Sequence, residues 1–217
     1  MWCIGTINTE YRTRMYDILH LYALSYNAKE PVICVDEKSK QLLEETRKPI
    51  SGNIKKQDYE YKRNGTKNIF VAVEPLAGKR VIEVTDTRKK ADFARFIKDL
   101  KENHYADAEK IHIVLDNLNT HFKKSFIETY GEEEAEKILE NIVFHYTPKH
   151  ASWLNMAEIE IGSMSKQCLD RRIPTKEKMI AEINAWQNIR NQQKSTIQWN
   201  FSAQDADEKL SKYYEDV

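Results

Sequence analysis

Two aspartates each follow directly on an apolar run: Asp36 after "VICV" (32–35) and Asp116 after "IHIVL" (111–115). A third acidic position lies further on, in "LNMAEIEIG" (154–162), where Glu158 and Glu160 are the choices. Carboxylates at strand ends gather at the sheet edge where α/β domains place ligands. On neighbouring strands the two aspartates would repel each other unless a cation neutralised them, and Mg²⁺ is the usual one. Two such ions about 3.5–4 Å apart would activate a nucleophile and stabilise the leaving oxygen of a phosphodiester, with a third carboxylate completing the ligand set. A lone aspartate after a strand is ordinarily a turn or cap residue, so the weight rests on the constellation. Asn117, Asn119 and His121 in "LDNLNTH" add a polar surround that could orient ligands or meet phosphate. Turn chemistry alone would also explain the asparagines.

Helical periodicity narrows the third acid without fixing it. Leu154, Ala157, Ile161, Met164 and Cys168 form one stripe, the face to be buried. Glu158 and Glu160 lie about 80° to either side of it. Glu158 shares its flank with Asn155 and Gly162, where backbone or metal could approach. Glu160 shares its flank with Trp153, Met156 and Met164, a more apolar setting. The neighbours lean towards Glu158, and periodicity leaves both open.

The elements that must position these acids are legible in the same way. A helix is predicted over 9–27 (Met15, Ile18, Leu19, Tyr22), a short strand at 32–35, a loop over 50–67, and a hairpin turning at Leu76-Ala77-Gly78. Thr87 is the expected N-cap of a helix with Phe93, Phe96, Ile97 and Leu100 inward. Then come a strand at 111–115, a polar helical stretch to about Asn141 broken at Gly131, and a strand at 142–146. Helices follow over 152–169 and 175–193, the second with Met179, Ile183 and Trp186 inward, and a short one after Trp199. This mixed α/β order, a sheet flanked by helices, is that of a ribonuclease-H-like domain.

Composition excludes more than it assigns. With 217 residues, 41% hydrophobic and 31% charged, the chain can bury one sizeable core and is neither disordered nor fibrous. Cys3, Cys34 and Cys168 are odd in number and far apart, neither a disulfide framework nor a zinc pattern, so a reducing, cytoplasmic setting is expected. No apolar stretch approaches membrane-spanning length, and no membrane partner is expected. The formal net charge is zero, which by itself points to no nucleic acid. The basic clusters supply candidates for phosphate contact all the same: Lys55, Lys56, Arg63, Lys123, Lys124, Arg171 and Arg172. Any single one of them is ordinarily just a solvated charge.

Taken together, "VDEKSKQLLEETRKPI", "DYEYKRNGT", "VLDNLNTHF" and "YTPKHASWLNMAEIEI…QCLDRRI" resemble the DDE transposase domain of the IS630 group, in the Tc1/mariner superfamily. The resemblance runs from about residue 8 to the C-terminus. It implies a ribonuclease-H-like fold and places the catalytic, metal-holding triad on Asp36, Asp116 and Glu158, with Asn155 in support. Glu160 becomes a surface or supporting acid. It further implies two Mg²⁺ (or Mn²⁺) ions, DNA partners in the form of transposon ends and a TA target, and a homodimer on DNA near the nucleoid. The 41 residues between Asp116 and Glu158 exceed the mid-thirties spacing of the superfamily, and "GEEEAEKILEN" is the expected site of the extra length.

The expected layout is an N-terminal helical lead-in over 1–30 and the catalytic domain over 31–217. No helix-turn-helix module is read. The chain is therefore expected to be the second frame of a split gene, a truncated remnant, or a shortened piece that works with a separate N-terminal DNA-binding transposase subunit. The alternative function is a catalytically silent remnant that binds DNA or a transposase partner.

Overall fold

The computed structural model describes residues 6–47, 59–116 and 123–215. Helix α1 (Thr9–Tyr22) precedes strands β1 (Val32–Glu45), β2 (Tyr61–Glu74) and β3 (Lys79–Thr85). Then follow α2 (Lys90–Asp99), β4 (Ile111–Leu115), α3 (Lys123–Tyr130), α4 (Glu132–Leu139) and β5 (Ile142–Tyr146). Three helices close the chain: α5 (Ala157–Gln167), α6 (Lys176–Gln192) and α7 (Ala203–Leu210). The five strands form one sheet in the order β3-β2-β1-β4-β5. β1, β4 and β5 run parallel, and β2 is antiparallel to both of its neighbours. This is the mixed, helix-flanked sheet expected from the element order.

Alternation along β1 sorts the core into two faces. Ile33 and Val35 join Phe93, Phe96 and Ile97 of α2 and Leu100 just after it, with Phe126, Ala135 and Ile138 of α3 and α4. Phe96 lies over Phe70 of β2 at 5.4 Å between ring centroids, and burying such a ring is worth roughly 1.5–3 kcal/mol. Cys34 points the other way, into a cluster with Met15, Ile18 and Leu19 of α1, Val114, Leu154 and Ala157. The same face continues under α5 and α6, where Ile69 and Val71 meet Ile161, Met164, Met179 and Ile183. No helix among the described residues is long and apolar enough to cross a membrane.

Four local expectations need correcting. α1 stops at Tyr22 rather than 27. β1 does not end at Asp36 but runs nine residues further, to Glu45, paired with β2. Correspondingly, β2 starts at Tyr61, inside the stretch read as loop. This ribbon escapes a hydrophobic-alternation test because cross-strand polar pairs such as Glu44 and Lys62 hold its outer part, with only Leu42 buried. α2 begins at Lys90, where the Asp92 carboxylate accepts the Lys89 N–H at 2.9 Å and the Thr87 hydroxyl, so Thr87 supports the cap without being it.

The β2–β3 turn requires its glycine. Gly78 has φ +65°, and a Cβ there would lie 2.5 Å from the Lys194 carbonyl carbon. Gly162, inside α5, has no such neighbour within 4 Å. Opposite signs are therefore expected. Gly78→Ala should destabilise by more than about 1 kcal/mol, whereas Gly162→Ala should stabilise by roughly 0.5–1 kcal/mol. Denaturant unfolding of the two variants checks both.

Candidate active site

The parallel register between β1 and β4 is Val32↔His112, Ile33↔Ile113 and Cys34↔Val114. Carried two residues on, it brings Asp36 level with Asp116. The pair falls where β4 ends at Leu115 and β1 continues with β2 alone. Adjacent strands lie about 4.8 Å apart, so both carboxylates are within reach of one cation. Asp36 shares the parity of Cys34 and so faces the α1/α5 side of the sheet. Glu37 follows Ile33 and Val35 to the other face, where Arg88 approaches it at 3.8 Å.

Asp36 is half-buried, and one carboxylate oxygen accepts the Glu37 N–H at 2.8 Å. Burial, opposed by that N–H and reinforced by the charges of Glu158, Asp116 and Glu37, pushes its carboxyl up to about 7. Asp36 therefore feels the charges of both Asp116 and Glu158 at this end of the sheet. This is a hard-oxygen donor set of the kind that suits a divalent cation. Among the described residues, however, no three such groups are gathered to metal-holding distance.

Asn155 sets Glu158 in place. Its extended backbone (φ −89°, ψ 111°) breaks the helix expected over 152–169 into one 3-10 turn, Ser152–Leu154, and α5. The side chain, 1% exposed, donates to the Val35 carbonyl at 2.9 Å and accepts the Ala157 N–H at 3.1 Å. Its own carbonyl accepts the Glu158 N–H at 3.1 Å. One amide thus ties the start of α5 to the residue before Asp36, leaving Glu158 exposed in the first helical turn, where the helix dipole favours a carboxylate.

Glu160 is no surface acid. It is fully buried and forked by Arg80 of β3 at 2.8 and 3.0 Å and by Arg190 of α6 at 3.2 and 3.2 Å. Burial would raise its carboxyl, but the two guanidiniums outweigh burial and hold it below the usual range. Arg80 and Arg190 were not singled out from the sequence. The available signal was an arginine in phase with Ile82 and Val84 on a strand whose inward face is otherwise apolar.

The other candidates are dispersed. Lys55, Lys56, Asn117, Asn119 and His121 lie outside the described residues. Lys123 and Lys124 are exposed at the start of α3, with Glu128 at 3.7 Å from Lys124. Arg63 is exposed over the Tyr61 ring, at the outer end of the β1–β2 ribbon. Arg171 pairs with Glu182 at 2.5 Å and Arg172 with Glu45 at 2.6 Å, so their charges are already balanced within the fold. Trp153 is 42% exposed and stacks on Trp199 with Phe201 at its edge.

A family model described as DDE superfamily endonuclease matches residues 31–180, a span that includes all three acids. The chain belongs to the DDE superfamily endonucleases. Among solved structures, a Mos1 mariner paired-end complex with Mn aligns at TM-score 0.58 and 14% identity, covering 90% of this chain and 60% of that one. A pre-cleavage Mos1 transpososome aligns at TM-score 0.60 and 12% identity, covering 100% and 66%. The Mos1 strand transfer complex gives 0.58 and 12%, covering 100% and 65%. This DDE endonuclease domain therefore spans less than two thirds of those chains and shares their fold. Comparison with curated proteins finds no match.

The raised Asp36 carboxyl has a measurable consequence. Ordinarily near 3.8 and about 7 when folded, it takes up a proton on folding between those values, so stability falls as pH rises through that window. Asp36→Asn should therefore melt higher than the parent at pH 8 in chelator, with the difference closing towards pH 4. The ceiling is on the order of 4 kcal/mol. Melting curves across that pH range check it.

Proposed function

We propose that this domain carries out metal-dependent DNA cleavage and strand transfer in transposition, as a Tc1/mariner-type transposase of the IS630 group. The observation that carries the reading is the level placement of Asp36 and Asp116 with Glu158 close enough to shift Asp36. In the proposed site Asp36, Asp116 and Glu158 would together hold two Mg²⁺ or Mn²⁺ ions. Bound there, the ions would supply charge neutralisation at the scissile phosphate and activation first of water and then of the released 3′-hydroxyl. The chain's own residues contribute geometry: the β1–β4 register fixes the aspartate pair, and Asn155 fixes the helix start that presents Glu158. Burial of Asp36 also strengthens its interaction with any cation.

The partners proposed are transposon-end DNA and a TA target, with two copies of the chain on DNA to pair the ends, in the cytoplasm beside the nucleoid. The Mos1 structures, described as paired-end and strand transfer complexes, support a DNA partner, and those described as holding Mn or Mg support a divalent metal.

The test is cleavage of duplex DNA carrying the element's ends. Cleavage should need Mg²⁺ or Mn²⁺. It should fall about 100-fold or more in Asp36→Asn, Asp116→Asn and Glu158→Gln, a loss typical of removing transition-state charge stabilisation, while DNA binding persists. Binding should weaken steeply with salt. A gel shift without cleavage would favour the silent-remnant reading. Preferential cutting of an RNA–DNA hybrid would assign the chain to a different ribonuclease-H-fold activity.

A further inference from the structure

We propose that the buried Arg80–Glu160–Arg190 cluster is the device that sets the rotation of α5, making Glu160 and Arg80 positioning residues for Glu158. The inference rests on the metal-site reading above.

Glu160 is gripped from two elements at once. Both Arg80 and Arg190 place Nε on one carboxylate oxygen and Nη2 on the other, so four N–H donors converge on a single carboxylate. Arg80 is itself immobilised at both ends. Its Nη1 donates to the Gly78 carbonyl at 2.7 Å, and its Nη2 also donates to the Ser195 carbonyl. The Asn191 side chain meets its backbone N–H at 2.8 Å and its carbonyl at 2.9 Å. Asn191 adjoins Arg190 on α6, so the cluster is one rigid frame of β3 and α6. Planar guanidinium forks tolerate little rotation of the carboxylate they hold.

The helix transmits this constraint. Residues two apart on an α-helix point about 200° apart, so a Glu160 locked towards β3 directs Glu158 to the opposite side, towards β1 and Asp36. Asn155, bonded to Val35, fixes the helix start and hence its axial position. A slip of one residue would turn α5 by about 100°, removing Glu160 from the fork and Glu158 from the aspartates together. An acid that only stabilised the fold would need no such geometric relation to the site.

Three variants test this: Glu160→Gln, Arg80→Lys, and the double variant Arg80→Met with Glu160→Leu, which removes the two fully buried charges while keeping volume and leaves only Arg190, whose side chain is partly open to solvent. The double variant guards against misfolding, because apolar replacement of a buried ion pair is often neutral in stability. Three readouts are taken: the melting temperature, the affinity for Mn²⁺ alone by calorimetry without DNA, and the position of Glu158 relative to Asp36 in crystals of the double variant. The expected result is a folded double variant with Glu158 displaced, Mn²⁺ affinity reduced about tenfold or more, and kcat for cleavage reduced at unchanged DNA KM. Arg80→Lys should recover less than half of the affinity, since a point charge cannot reproduce the fork. A folded double variant with Glu158 in its original place, or with Mn²⁺ affinity equal to the parent's, would overturn the inference. A parent protein that neither binds Mn²⁺ nor cleaves would instead overturn the endonuclease reading, and the Glu158 position would still decide this one.

Discussion

The pairing of β1 with β4 over three residues is the constraint on which everything else at this site depends. A strand's side chains alternate faces, so a one-residue slip would send either aspartate to the α2 side of the sheet. The register is held by apolar side chains that cannot be exchanged between faces without exposure: Ile33, Val35, Ile113 and Leu115 on one side, Cys34 and Val114 on the other. The hydrophobic core therefore does more than stabilise. Its alternation aims two carboxylates at the same point, two residues past the last paired position. That aim opposes stability, because Asp36 is desolvated beside like charges and, among the described residues, relieved by one backbone N–H. Strain of this kind concentrates where binding or chemistry is to occur.

The two glutamates of α5 show how environment divides identical side chains. Glu158 is exposed at the helix start and adds to the negative field at Asp36. Glu160 is sealed from water and fully engaged by two arginines. Stripping a carboxylate and a guanidinium of water costs several kcal/mol per ion, so such a pair contributes little net stability but is costly to break, by about 3–5 kcal/mol when one partner is removed. Its value is directional. The same clamp ties the β2–β3 turn to the segment after α6, where Gly78 allows the backbones to touch.

Much of the chain's basic charge is likewise committed to the scaffold. Arg171 and Arg172 join the segment after α5 to α6 and to the outer end of β1 through Glu182 and Glu45. Lys67 and Lys176 meet on Asp86, and Lys90 reaches Glu128 across the α2–α3 contact. A charge cluster in the sequence thus reports density of charge but not availability. For an arginine, that depends on which acid the fold brings opposite.

The elements with strong periodicity were legible from the sequence: the apolar strands, the inward stripe of α2, α6 behind its Thr175 cap, and the burial of Leu154, Ala157, Ile161, Met164 and Cys168. So was the position of each aspartate at the end of an apolar run. These are local properties, set by the spacing of apolar side chains and by turn chemistry, and they need no knowledge of what lies opposite. The extension of β1 past Asp36 was hidden because a polar ribbon is held by cross-strand partners that alternation does not encode. The burial of Glu160 was hidden for the same reason, since its partners stand 80 and 30 residues away. The sequence by itself determined which residues could form a divalent-metal site. Only the tertiary structure decided that Asp36 and Asp116 are level, that Glu158 stays exposed and adds its charge at Asp36, and that Glu160 is locked between two arginines. Register and ion pairing are relations between distant segments, and only the folded chain brings those segments together.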